Sequence, residues 1–370
     1  MRTPAADPLR PLGLTSREFV DASRGRGRAG SPRDEYKALF REGRVPAGCE
    51  VAEYPVTATL VEGETAKFVL RLTDDGFNGL ETESVLIPMP RSTGTTTTLC
   101  VSSQVGCAMG CRFCETAQMG LVRNLRADQI VHQWFAATHR VQRRAERPVK
   151  NIVFMGMGEP TDNIEAVIQA IRVLTDHDGA KVPASNISIS TVGNPDGIDR
   201  IGALVREHGF HRLNLALSLN APNDEIRSQI MPVNKAWPMA RLKEALLAFP
   251  RYSQAAFCVE YVLIPGVNDR DEHCDEVCAF LREIRCSLNV IPYNPRRNSP
   301  WPAPDEREVD RFIARAVANG QFTKRRGTKG RNVMAACGQL GNERIRNRRI
   351  VPGDGIVALG VPAREATRDA

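Results

Sequence analysis

The chain has 370 residues, 42% of them hydrophobic and 25% charged, with a formal net charge of +7. That length holds a core of barrel size plus smaller appendages. No apolar run nears the ~20 residues of a membrane span and MRTPAADPLRPLG lacks the charged-then-apolar order of a leader, so a cytoplasmic protein with no membrane partner is expected.

Residues 1–50 are rich in Arg, Gly, Pro and Ser and predict a flexible arm with at most a short helix. Residues 51–92 alternate apolar and polar positions around a DDGFNG turn and predict a small β extension. From 93 to 322 the rhythm changes. The runs TLCVSSQV, NIVFMGM, ISIST, LNLALSL, CVEYVLI and SLNVIPY have strand length, and amphipathic segments near 126–140, 164–175, 196–208, 241–249, 272–283 and 306–317 have helix length. This alternation makes six β/α units and predicts an α/β fold with a parallel sheet, its site at the C-terminal ends of the strands. Periodicity alone does not separate a barrel-like sheet from a doubly wound one. Residues 323–350 form a basic segment. Between Lys324 and Arg349 nine basic residues stand against one acid, Glu343, so the whole positive excess lies around Cys337. Residues 351–370 are expected to be a disordered tail.

Ten cysteines in a reducing compartment are poor material for a disulfide framework and point to metal or redox chemistry. Four of them fall within residues 100–114. Cys107, Cys111 and Cys114 form a CxxxCxxC pattern in which Gly106 and Gly110 let the backbone wrap as a loop. A four-iron cluster ordinarily takes four thiolates, so three would leave one iron open, as catalytic zinc sites keep one position free. Structural zinc with Cys100 as fourth ligand is the competing reading, weakened by the absence of paired CxxC knuckles. MGMGEP fails as a dinucleotide fingerprint, because Thr161 stands where the third glycine would be. Ser190, Ser218 and Asn294 fall at or just past strand ends, where small polar residues either cap a strand or touch a ligand. Cys49, Cys258, Cys274, Cys278 and Cys286 read as packing, and His273 with the Cys274/Cys278 pair reads as an inert helix face. NPRRNSPWPAP, with Arg296, Arg297 and Trp301, would either clamp RNA or serve as a rigid connector. Arg140, Arg143, Arg144 and Arg147 suit a helix C-terminus.

The stretches TLCVSSQVGC, FCETAQMGLVRNL, MGMGEP, LSLNAPNDEIR, MPVNK, VEYVLIPGVND, IPYNP and AACGQL, spread over about residues 66–350, resemble the RlmN-like family of the radical S-adenosylmethionine (SAM) superfamily. Its members are RNA adenine C2-methyltransferases, and the related Cfr-like group methylates C8. The resemblance implies a partial (β/α)6 barrel. It further implies a [4Fe-4S] cluster on Cys107, Cys111 and Cys114 whose open iron binds SAM, and two SAM molecules per turnover. One methylates Cys337. The other, cleaved reductively, yields a 5′-deoxyadenosyl radical that takes hydrogen from the S-methyl group, and the resulting carbon radical adds to the base. Cys100 then resolves the adduct through a transient disulfide with Cys337, and Glu83 accepts the proton. Gly158, Glu159, Ser190, Ser218, Leu219, Asn220 and Asn294 match SAM-binding positions. The implied partners are 23S ribosomal RNA, with tRNA as a second substrate, and an electron donor such as flavodoxin or ferredoxin; the expected state is a monomer. The sequence departs from the family at Asn220, Thr161, Asp162, Glu115, Arg331 and Met334, and its N-terminal arm lacks a clear likeness to the family's accessory helical domain. These departures leave target choice open. The alternatives are C8 methylation and, in a different class, a non-catalytic RNA-binding iron–sulfur or zinc protein that would need neither Cys337 nor Cys100.

Overall fold

A computed structural model describes residues 8–74, 76–77, 79–91, 94–141, 148–252 and 256–341. The first elements are helices α1 (Ser16–Gly25) and α2 (Pro32–Glu42). They correct the expectation of a loose arm. Phe19, Tyr36, Leu39 and Phe40 are fully buried, and the Tyr36 hydroxyl donates to the Leu14 carbonyl at 2.8 Å. The arginines and glycines that suggest flexibility lie on the outer face and in the connector, so four large apolar residues suffice for one buried stripe. Local signals agree: Thr15 and Glu18 form a capping box, and α2 begins at Pro32 and ends at Gly43 with φ +74°.

The strands are β1 (Val56–Glu62), β2 (Thr65–Arg71), β3 (Glu81–Arg91), β4 (Gly94–Cys100), β5 (Gln104–Gly106), β6 (Leu121–Asn124), β7 (Val149–Phe154), β8 (Ile187–Thr191), β9 (Asn214–Ser218), β10 (Phe257–Leu263), β11 (Cys286–Pro292) and β12 (Thr323–Arg325). The later helices are α3 (Ala127–Ala136), α4 (Ile164–Thr175), α5 (Pro195–Arg206), α6 (Asp224–Ile230), α7 (Met239–Ala248), α8 (Asp271–Leu281) and α9 (Glu306–Ala318). Ten strands form one sheet in the order β1-β2-β3-β4-β7-β8-β9-β10-β11-β12. Pairing is antiparallel from β1 to β4 and parallel from β4 to β12. Strand order follows chain order without reversal, which removes the doubly wound alternative, since that arrangement needs a switch point. Six parallel strands, β4 and β7–β11, are each followed by helix, as the alternation predicts. The small β extension continues this sheet: the β3–β4 hairpin runs from Val85↔Cys100 to Arg91↔Gly94, across the boundary expected at 92/93.

Alternate residues of the central strands, such as Ile152, Phe154, Ile187, Ile189, Leu215 and Leu217, enter one core with Ile130, Ile171 and Ile201 from the helices. The outer ends of the sheet are bridged by residues 326–341. Arg326 N donates to Val290 O at 2.9 Å, Lys329 Nζ to Pro88 O at 2.8 Å and Asn332 N to Glu62 Oε2 at 2.7 Å. This strap runs from the β11 side to β1–β3, and its Cys337–Leu340 part meets the C-terminal ends of the strands at one cleft. Among the described residues no helix is long and apolar enough to cross a membrane.

Candidate active site

The cysteine loop leaves β5 at Gly106, whose φ is +78°. A Cβ there would stand 1.8 Å from Gly120 O, the carbonyl that accepts from Cys107 N at 2.9 Å; only glycine fits. Met109, Cys111 and Phe113 pack with Val192, Ile230 and Tyr293 in a small cluster of their own, so the loop is pinned on both flanks. Cys107, Cys111 and Cys114 line a cleft of roughly 990 Å³, partly open to solvent, together with Gly158, Glu159, Ser190, Ser218, Asn220, Asn294 and Cys337. The fold thus draws residues from 107 to 337 to one set of strand ends.

Burial pushes the three thiols up, and at Cys107 and Cys111 the neighbouring cysteine pushes in the same direction. Three thiolates there are tolerable only beside a compensating positive centre. Among the described residues no three His, Cys, Asp or Glu side chains gather closely enough to hold one metal ion. A four-iron cluster takes thiolates at separate corners, so it does not need the three sulfurs to converge on one ion. Cys100 does not line this cleft. The donor set fits a cluster with three protein ligands.

Gly158 has φ +101°, and a Cβ on it would lie 2.6 Å from Gln104 Cβ. Gln104 Oε1 accepts from Glu159 N at 2.8 Å. The Glu159 carboxylate is fully engaged: Oε1 accepts from Thr161 N at 3.1 Å and Thr161 Oγ1 at 2.6 Å, and Oε2 from Val192 N at 3.0 Å. What Gly158 and Glu159 offer the cleft is therefore backbone. Thr161, an oddity in the sequence, is the clasp for Glu159. Ser190 Oγ and Ser218 Oγ lie 3.3 Å apart, with Ser190 Oγ 3.4 Å from Glu260 Oε2. Asn220 takes φ +58°, which Asn tolerates better than most residues, and its Oδ1 accepts from Val262 N at 2.9 Å. Leu219, matched by sequence to a SAM-binding position, is buried in the main core and does not line the cleft. Asn294 Oδ1 accepts from Arg331 Nε at 3.0 Å.

Cys337 is exposed on the strap, at a wall shared with a second cavity on the Lys324–Lys329 side. Its loop is docked onto the cysteine loop: Glu115 N donates to Gly338 O at 2.7 Å and Thr116 Oγ1 to Leu340 O at 2.6 Å. Glu115 also pairs with Arg297 at 3.4 Å, which accounts for a charge following the last cysteine. Cys100, at the end of β4, is buried. Its thiol is pushed up to about 12, by burial first and then by the charge of Cys337, so the two sulfurs lie within electrostatic reach. Arg326, paired with Glu260, feels both of them. Glu83 lies behind the Cys337 loop and outside the cleft lining. Burial raises its carboxyl and Lys67 opposes that shift.

Lys67, Gln104, Arg227, Glu260 and Arg326 carry this geometry and were not singled out by sequence pattern. Arg296 donates to Arg112 O at 2.7 Å, so the NPRRNSPWPAP loop braces the cysteine loop. Arg140 donates to Tyr54 O at 3.2 Å; Arg143, Arg144 and Arg147 lie outside the described residues, as do Arg344–Arg349 and the tail. His273 accepts from Arg270 N at 3.3 Å as a helix cap, and Cys274 is buried against Phe312 O.

Residues 101–277 match the family model of the radical SAM superfamily. The chain is 42% identical to the probable dual-specificity RNA methyltransferase RlmN 1 of Protochlamydia amoebophila, over 80% of this chain and 78% of that one. It is 40% identical to the dual-specificity RNA methyltransferase RlmN of Syntrophotalea carbinolica, over 75% and 69%, and 44% identical to a probable RNA methyltransferase of Sorangium cellulosum, over 77% and 68%. Among solved structures, a radical SAM methyltransferase from Sphaerobacter thermophilus superposes with a TM-score of 0.81 at 34% identity, covering 90% of this chain and 99% of that one.

Proposed function

Because the chain belongs to the RlmN family of radical SAM methyltransferases, we propose that it methylates an adenine carbon, C2 in preference to C8, in 23S ribosomal RNA, with tRNA as a second substrate. The observation that carries this reading is the meeting of Cys337 with the three-cysteine loop on one cleft. The four-iron cluster and SAM, when bound, supply a transferable methyl group and the one-electron chemistry that an electron-poor ring carbon requires.

Cys107, Cys111 and Cys114 hold the cluster, and the Gly158–Glu159 backbone, Ser190, Ser218 and Asn294 line the space for SAM. Cys337 Sγ carries the methyl group and becomes the bridge between enzyme and base. Glu83 takes the proton that leaves the substituted ring carbon. The Cys100 thiolate attacks Cys337 Sγ; the bridging S–C bond breaks, its electron pair goes to the methylene carbon, and that carbon takes a proton to become the product methyl. The adenine must be unstacked to reach the cleft, and Lys324, Arg325 and Lys329 flank the strap where phosphates would lie. The enzyme acts as a cytoplasmic monomer fed by a flavodoxin- or ferredoxin-type donor.

The test is methyl transfer by anaerobically reconstituted protein to ribosomal and transfer RNA, with mass mapping of the modified adenosine. Cys337→Ala is expected to abolish transfer and Cys100→Ala to accumulate a protein–RNA adduct. Undiminished transfer by Cys337→Ala would overturn the reading, and methyl found at C8 would reassign the carbon.

A further inference from the structure

One buried ion pair holds the Cys337 loop at both ends. Lys67 Nζ, from β2, donates to the Met334 carbonyl at 3.1 Å and lies 3.3 Å from Glu83 Oε2 on β3. The same carboxylate oxygen accepts from Gly341 N at 3.3 Å. Met334 precedes Cys337 by three residues and Gly341 follows it by four, so both grips act on the loop close to the sulfur. Lys67 and Glu83 side chains are only 5% and 7% exposed. In such a place the pair holds together through its charges, and loss of one charge leaves the other uncompensated. The charged groups that face Glu83 are Lys67 from β2 and Arg297 from the segment after β11. Arg297 also reaches the loop, with its guanidinium 3.4 Å from Gly341 O.

We infer that Lys67 is a positioning residue for the carrier cysteine, and that arrival of a proton on Glu83 releases the loop so that Cys337 can meet Cys100. This rests on the proposed role of Glu83 as proton acceptor. The ring carbon gives up its hydrogen as a proton, leaving the bonding pair with the ring; the odd electron of the radical adduct would leave through the one-electron chemistry that the cluster supplies when bound, and Glu83 becomes neutral. The Gly341 N–H then loses a charge-assisted bond for a weaker neutral one, and Lys67 keeps only the Met334 carbonyl. Disulfide exchange is thereby placed after deprotonation.

Hydrogen–deuterium exchange and a disulfide-formation rate, both on reconstituted holoenzyme, test this. Glu83→Gln mimics the protonated acid. In Glu83→Gln and Lys67→Met, exchange in residues 334–341 is expected to rise about tenfold, the scale of one charge-assisted bond, while β2 and β3 peptides stay at native rates. Lys67→Arg restores protection. Oxidised dithiothreitol, a disulfide oxidant, should form the Cys100–Cys337 bond about tenfold faster in Glu83→Gln. Native rates of both exchange and disulfide formation in Glu83→Gln would overturn the inference. Should a variant loosen the whole sheet, native protein decides: after correction for intrinsic exchange, a rise on acidification confined to 334–341 supports the latch, and none overturns it. These readouts need no RNA, so methyl transfer that survives loss of Cys337 would sink the proposed function without touching the latch.

Discussion

Arg227 is 1% exposed yet donates to four acceptors: Leu219 O at 3.1 Å from Nε, Asn234 Oδ1 at 2.7 Å from Nη1, and Val192 O and Ser218 O from Nη2 at 2.5 and 3.3 Å. Three of these carbonyls lie at the C-terminal tips of β8 and β9, the strands that bring Ser190 and Ser218 to the cleft. Burial pulls its pKa down to about 10, and the charge of Cys111 opposes that. Arg227→Met keeps the apolar stem and strands the acceptors. Each hydrogen bond to a charged donor contributes roughly 1.5–3 kcal/mol, but relief of guanidinium burial offsets part of the sum. The net loss is about 3–5 kcal/mol, as for breaking a buried ion pair, or, for a chain of 370 residues, a fall in Tm of about 4–6 °C. Calorimetry on the isolated chain reads the stability, and equilibrium dialysis of SAM on reconstituted protein reads the strand tips. Lysine supplies three donors without the planar fork, so Arg227→Lys should recover only part of both. A methionine variant within about 0.5 kcal/mol of native, the range of inert surface changes, would refute the view that this guanidinium fastens the cleft.

Three further outcomes are expected. Gly106→Ala must move Gly120 O away from a 1.8 Å contact as well as hold φ +78°, whereas Gly63→Ala at φ +58° meets open space; the second should lose only about 1–2 kcal/mol, and the first should lose more and also lower the iron-to-protein ratio on reconstitution. His132, its ring tilted 56° against that of Tyr54 with centroids 4.5 Å apart, is held down to about 3 from 6.5 by burial, with Arg140 adding to the effect. Stability from keeping it neutral is complete above pH 6.5 and lost as pH falls toward 3, roughly 3–5 kcal/mol in all, and His132→Phe should flatten that slope in urea titrations. Asp275 is lowered to about 2 from 3.8 by hydrogen bonds from Arg315 and then Asn319. Any advantage of native protein over Asp275→Asn should therefore be whole above about pH 4 and gone by about pH 2.

The repeating part of the molecule was legible because periodicity is a property of many residues at once. The segment near 164–175 is α4 to the residue, and the six strand-length runs all contribute strands. The N-terminal helices were hidden because composition averages over a segment, while burial needs only a few well-spaced side chains. At the site, cysteine spacing and the glycines announced a wrapped loop, since both constrain backbone locally. Glu159 was legible as a position but not as a role, because its partners Thr161 and Val192 come from two different loop tips. Lys67 left no mark at all: its acceptor is a backbone carbonyl 267 residues away, and a carbonyl has no letter in the sequence.

Because sheet order tracks chain order, each strand emerging from a ribosome finds its neighbour already in place. The strap comes after every strand. A nascent chain that has reached β11 but not Arg326 therefore holds its cysteine loop without the Glu115–Gly338 and Thr116–Leu340 contacts that later fasten the strap to it.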